Sequence, residues 1–216
     1  MECPGGNRTA SNNEKSMIRN IIFDLGNVLI SFKPADFLDD HGFHEDYKKI
    51  ILDDIFRSPV WHQIDNGDLT TEEAIEIIAS RSSLKRQEIS EIFNLRTQIL
   101  FPLERNIKML PELKKRGLRL FFLSNFPSDI FDDIVKANPF FCFFDGGLIS
   151  ARAKASKPAR RFFEILLEKY NLDPEECLFI DDLEANVQTA AELGMKTIWL
   201  YDSLDLGFLI KEKLET

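Results

Sequence analysis

Asp24 ends the apolar run Ile21-Ile22-Phe23 in IIFDLGNVLI. A carboxylate at the end of a buried strand loses hydration, which is costly unless another group solvates it. The placement recurs: Asp181-Asp182 close CLFIDD, Asp145-Gly146-Gly147 close FFCFFDGG, and Ser124-Asn125 close LRLFFLSN. Carboxylates converging from two strands raise each other's pKa unless a cation intervenes. Few oxygen ligands, with positions open for water and substrate, suit Mg²⁺ better than a softer metal. Ser124-Asn125 offers a hydroxyl and turn amides of the kind that hold a phosphate oxygen at a helix start. Lys157-Pro158 opens a helix after ISARAKAS and brings a point positive charge for a dianion, with Lys154 a nearby competitor. Each residue also has a plain structural explanation: Asp caps helices, Ser and Asn make turns, and lysines sit in solvent. Those explanations weaken when the whole set shares one end of one sheet.

The elements that must position these residues follow from hydrophobic patterning. Apolar runs at 19–24, 118–124, 140–145, 177–181 and 196–200 predict strands. Helical spacing fits 102–116, 128–137, 159–170, 185–193 and 204–214, and Asp173-Pro174-Glu175-Glu176 reads as a further helix start. Solidly apolar strands alternating with helices predict an α/β fold: a Rossmann-like, three-layer parallel-sheet core. Ligands of such sheets bind at the carboxyl ends of the strands. Residues 34–101 lack a strand signal and carry helix-type spacing, with a capping box at Thr70-Thr71-Glu72-Glu73. They predict an all-helical cap inserted after the first strand. The expected division is a disordered tail over 1–16, an α/β core over 17–33 and 102–216, and a helical cap over 34–101.

Composition narrows the function. A chain of 216 residues, 44% hydrophobic, suits one globular domain carrying a smaller insert. A formal charge of −9 without a basic cluster argues against nucleic acid as partner. No stretch approaches the roughly 20 apolar residues of a membrane span. Cys3, Cys142 and Cys177 show no metal-ligand spacing; the latter two sit in apolar runs and predict buried, reduced thiols and a cytoplasmic location. The polar MECPGGNRTASNNEKS has no apolar core for a signal peptide and reads as a tail, with Met17 an alternative start. Oligomeric state has no handle here.

Asp24 in hhhDLGNV (h, hydrophobic), Ser124-Asn125 in hhhSN, Lys157-Pro158, and Asp181-Asp182 in FIDDLEAN come in the order and spacing of the haloacid dehalogenase-like hydrolase superfamily, which the chain resembles over nearly its whole length after the tail. The DLGNV form is similar to the branch of glucose-1-phosphatase-like sugar phosphatases, whose cap domain the segment 34–101 resembles. The resemblance implies a phosphatase acting on a small phosphorylated substrate through an aspartyl-phosphate on Asp24. It implies Mg²⁺ held by Asp24, the Gly26 carbonyl and Asp182, with Asp181 supporting the lysine and the metal ligands. Ser124 and the Asn125 amide would bind the phosphoryl oxygens, and Lys157 would offset their charge.

Position 26 departs from the family's common form, which has an acid-base Asp there. Gly26 keeps a carbonyl but has no proton to give, and help of that kind is worth about 10²–10⁴-fold. The chain is therefore a phosphatase with another proton donor or an easily expelled leaving group, a metal-independent 2-haloacid dehalogenase, or a non-catalytic binding or regulatory protein. The Asp pair argues against the dehalogenase. Candidate surrogate donors are His41, His44, His62 and Asp65, each also readable as a surface or packing residue. Ala159 stands where relatives often have an acidic residue. Asp65-Asn66-Gly67-Asp68 reads as a turn, and Trp61 as core.

Overall fold

The computed structural model describes residues 17–201 and 205–215; the expected tail, with Cys3, lies outside them. In chain order the strands are β1 (Asn20–Phe23), β2 (Ile30–Phe32), β3 (Leu100–Pro102), β4 (Arg119–Ser124), β5 (Gly146–Ile149), β6 (Cys177–Asp181) and β7 (Lys196–Trp199). Five of them form one parallel sheet in the order β5-β4-β1-β6-β7. Side chains alternate across β1, so its apolar run feeds two layers. Ile21 and Phe23 pack with Leu113, Phe131 and Ile210, from helices on one face. Ile22 packs with Phe162, Leu166 and Ala190, from helices Arg160–Tyr170 and Glu184–Glu192 on the other. Every residue of β1 is buried, which is why it reads as an unbroken hydrophobic run. The strand order reverses at β1, and the crevice at the carboxyl ends of such a switch point is a ready ligand site.

Between β2 and β3, which pair antiparallel, the chain is helical and has a core of its own, including Ile51, Ile55, Trp61, Ile78 and Phe93. Helix Thr71–Ala79 begins with reciprocal bonds: Thr70 Oγ1 accepts from the Glu73 amide at 3.2 Å, and Glu73 Oε2 accepts from the Thr70 amide at 2.8 Å. Side-chain bonds join this segment to the sheet side, among them the following. Ser150 Oγ donates to the Asp65 carbonyl, Lys154 Nζ donates to the Gly67 carbonyl, and the Arg96 guanidinium reaches Asp129 at 2.7 Å. Gly67 has φ +71°, and a Cβ there would meet the Ala151 carbonyl at 2.8 Å, so this close turn needs glycine.

The structure corrects several expectations. Residues 140–145 are not a strand: Pro139–Phe143 form a 3₁₀ turn whose rings join an aromatic cluster with Phe122 and Phe131, and the strand begins at Gly146. Proline at the start of that turn fixes φ near the helical value. The expected helix over 102–116 is two, Glu104–Ile107 and Leu110–Lys115, because Pro111 has no N–H to continue the first. Asp173 caps a single 3₁₀ turn at Pro174–Glu176, since β6 starts at the next residue. Strands β2 and β3 have no counterpart in the sequence reading. Cys142 is exposed rather than buried, whereas Cys177 is buried and its thiol is pushed up to about 12 by that burial. Among the described residues no helix is long and apolar enough to cross a membrane.

Candidate active site

β1, β4 and β6 deliver their last residues to one crevice. Asp24, Gly26, Ser124, Asn125, Lys157 and Asp182 all line a single cavity of about 240 Å³, with Asp181 buried beneath. Lys157 is the centre of charge. Its ammonium lies 2.8 Å from Asp24 Oδ1 and 2.6 Å from Asp181 Oδ2. Burial pushes the Lys157 pKa down, but the two carboxylates outweigh it and leave the pKa raised. Asp181 is pushed up to about 6 by burial and by Asp24, with Lys157 pulling the other way. Asp182 is raised for the same first two reasons, opposed by a bond from Asn27.

The carboxylates differ in what they have left to give. Asp181 is saturated: Oδ2 takes Lys157, and Oδ1 takes the Leu183 amide and the Asn186 amide group, each at 2.9 Å. Asp24 Oδ1 takes Lys157 and the Leu25 amide at 2.7 Å, so its Oδ2 has no bonded protein donor among the described residues. Among the described residues Asp182 Oδ2 accepts from one side chain, Asn27 Nδ2, at 3.2 Å. One oxygen from each of the three carboxylates falls within 4.8 Å of the others. Oxygen donors gathered so closely beside a single buried lysine fit a hard divalent cation.

Asp145 is not part of this crevice. It precedes β5 at the opposite end of the sheet, where its Oδ2 accepts from Lys114 and from the Leu120 amide. Burial works against its ionised form, but those two partners hold its carboxyl below the usual range. Gly146 and Gly147 leave room for rings: a Cβ on either would lie 2.5 Å from Tyr170 or Phe122. Of the four surrogate donors, His62 and Asp65 line the cavity with Asp24. His41 lies against Phe37, bonded to its carbonyl, and His44 precedes helix Glu45–Ile51 as an exposed cap residue. Asp65 is half-buried, and burial pushes its carboxyl up to about 8, with Arg96 lowering it and Asp129 raising it. Trp61 packs on Phe32, Phe56 and Phe93 and also lines the cavity.

With that geometry stands a family match. A model described as haloacid dehalogenase-like hydrolase covers residues 18–194. The chain belongs to this family. It is 30% identical over 183 residues to the sesquiterpene phosphatase astK of Aspergillus oryzae, spanning 85% of this chain and 90% of that one. It is 22% identical to a phosphorylated carbohydrates phosphatase of Thermotoga maritima, over 83% of each. Among solved structures, a haloacid dehalogenase-like enzyme from Bacteroides thetaiotaomicron, in complex with magnesium and inorganic phosphate, aligns with a TM-score of 0.70. It is 25% identical and covers 89% of this chain and 98% of that one.

Within this haloacid dehalogenase-like site, several side chains have a positioning role that a motif reading does not give. Asn27 sits at φ +53°, a left-handed conformation Asn tolerates, giving to Asp182 and accepting from the Phe32 amide at 3.0 Å. Asn125 bonds both polar atoms of its side chain to the Lys157 backbone, at 2.9 and 2.8 Å, which fixes the lysine from across the crevice. Asn186 holds the Asp181 carboxylate instead, Nδ2 donating to its Oδ1. Asn27 and Asn186 lie inside DLGNV and FIDDLEAN, so their signal was proximity to the motifs. Arg96 had none.

Proposed function

We propose that the chain is a Mg²⁺-dependent phosphomonoester hydrolase that works through an aspartyl-phosphate on Asp24 and takes a small phosphorylated metabolite. The observation that carries this reading is the buried Lys157 bridging Asp24 and Asp181, with Asp182 alongside. The magnesium and phosphate in the Bacteroides thetaiotaomicron relative support it. Asp24, held in place through Oδ1, attacks phosphorus; the ester P–O bond breaks and the departing oxygen takes a proton. Water then hydrolyses the acyl phosphate, releasing phosphate and restoring the carboxylate. Mg²⁺, held by Asp24, Asp182 and the Gly26 carbonyl, would supply positive charge to the phosphoryl oxygens. Ser124 and the Asn125 amide bind those oxygens, and Lys157 offsets the charge of nucleophile and phosphate together. Asp181, its oxygens filled by protein donors, positions Lys157. Gly26 gives no proton; Asp65, protonated at neutral pH, is the surrogate that best supports leaving-group departure.

In this reading residues 34–101 are a cap over a core of 17–33 and 102–216, and the free thiol of buried Cys177 supports a cytoplasmic setting. The relative from Thermotoga maritima supports a sugar phosphate, the one from Aspergillus oryzae a terpenoid phosphate. The test is phosphate release from a panel of phosphomonoesters with and without Mg²⁺, beside Asp24→Asn. Metal-dependent release that vanishes in the variant is expected; release retained by Asp24→Asn sinks the nucleophile assignment. The missing acid at Gly26 favours one other reading, a phosphometabolite-binding member without turnover, whose signature is tight binding and no release over hours.

A further inference from the structure

The cavity over Asp24 is lined by charged groups and by a larger set of apolar side chains. Several of its polar side chains already hold one another or neighbouring backbone. Both polar atoms of Asn125 are bonded to Lys157, and Asn27 is taken by Asp182 and Phe32. The buried Arg96 gives Nε to the Phe93 carbonyl at 2.8 Å, Nη1 to Thr71 at 3.2 Å and Nη2 to Asp129 at 2.7 Å. The rest of the wall includes Phe32, Trp61, Leu100, Phe126, Ile130 and Leu183. Phe32 and Trp61 stack on each other with ring centres 5.8 Å apart. Leu183, directly after Asp182, lines the cavity while 58% exposed, a large apolar side chain with little protein over it.

A polyhydroxylated substrate would lose water from its hydroxyls against this wall and regain few partners; among the described residues His62 and Asp65 are the main polar side chains of the wall left free. A hydrocarbon substrate gains there instead, since apolar area leaves water on both sides. A cavity of about 150 Å³ accepts a benzene; this one measures about 240 Å³, which the phosphoryl group beside Asp24 and the hydrocarbon share, with the exposed Leu183 at its edge for a longer chain. We infer that the site takes a phosphomonoester whose alcohol is a hydrocarbon, alkyl or prenyl, in preference to a sugar phosphate. The inference rests on the phosphatase reading above and names its substrate class.

The test is kcat/KM of the Mg²⁺-loaded protein for acetyl phosphate, butyl to decyl phosphates below their micelle concentrations, and glucose 1- and 6-phosphates. The expected result is a rise with chain length, the best alkyl ester exceeding either sugar ester by about 100-fold, and a preference narrowed about tenfold by Leu183→Asn. Sugar esters that match or beat the alkyl series overturn the inference and leave the phosphatase reading standing. If no substrate is cleaved, neither the esters nor the more reactive anhydride acetyl phosphate, the phosphatase reading fails and binding decides the substrate class. Decyl phosphonate should then bind Mg²⁺-loaded Asp24→Asn at least about tenfold more tightly than glucose 1-phosphate. Equal or weaker binding overturns the inference.

Discussion

Lys157→Ala removes the cation on which the buried charges depend. The ammonium side chain is 2% exposed, and the carboxylates it bridges, Asp24 and Asp181, are 10% and 0% exposed. Taking one partner from a buried pair costs about 3–5 kcal/mol, because the remaining charge has neither water nor counter-ion. Here two carboxylates lose the same partner, and Asp182 adds a third within 4.8 Å, so the upper end applies. For a chain of this length about 1 kcal/mol moves Tm by roughly 2–4 °C, so a fall of roughly 10–20 °C is expected in EDTA. Mg²⁺ restores part of the missing charge and binds only the folded state, so the variant should gain more Tm from Mg²⁺ than the wild type does. Thermal and urea unfolding, each with EDTA and with Mg²⁺, read both effects. Lys154→Ala is the control: this exposed lysine bonds one carbonyl, and its loss should cost about 1 kcal/mol or less. A Lys157→Ala protein within about 1 kcal/mol of wild type in EDTA, with no added response to Mg²⁺, would refute the electrostatic account of the site.

Asp65 gives a pH signature. The unfolded chain releases this proton near its ordinary value of 3.8 and the folded chain only near about 8, so the folded state holds the extra proton between the two. Stability therefore falls as pH rises through that window and levels off above it. Asp65→Asn should lose less Tm than wild type between pH 5 and pH 9; an equal loss contradicts the raised carboxyl. Gly147→Ala places a methyl 2.5 Å from the Phe122 ring and should cost about 1–3 kcal/mol in urea unfolding, whereas a neutral result would show that the ring yields freely. Cys177, its thiol up at about 12, should resist a disulfide reagent at pH 8 until the protein unfolds, while exposed Cys142 reacts at once; peptide mapping distinguishes them.

Much of the sheet was legible because its strands are covered on both faces. β1, β4, β6 and β7 each read as apolar runs, and the polar residues ending β1, β4 and β6 come together in one crevice. The run at 140–145 carried an equally strong apolar signal and misled, because a Phe-rich 3₁₀ turn packed into an aromatic cluster is as hydrophobic as a strand. That error moved Asp145 to the wrong end of the sheet. Strands of three residues, β2 and β3, are too short for an alternating pattern to stand out. The separation of His62 and Asp65 from His41 and His44 depends on how helices are oriented over the crevice, which spacing does not encode. Arg96 and Asp129 lie 33 residues apart, on helices Arg96–Ile99 and Ser128–Ala137, where a single charge looks like solvent-facing polarity.

The central claim is that Asp24 carries the phosphoryl group. Protein turning over p-nitrophenyl phosphate with Mg²⁺ is quenched in acid, reduced with borohydride and digested, since an acyl phosphate is reduced to an alcohol where a free carboxylate is not. Recovery of homoserine at position 24, absent when substrate or Mg²⁺ is omitted, is the predicted result. An unmodified Asp24 in enzyme caught mid-turnover, or homoserine at another position, would contradict the account.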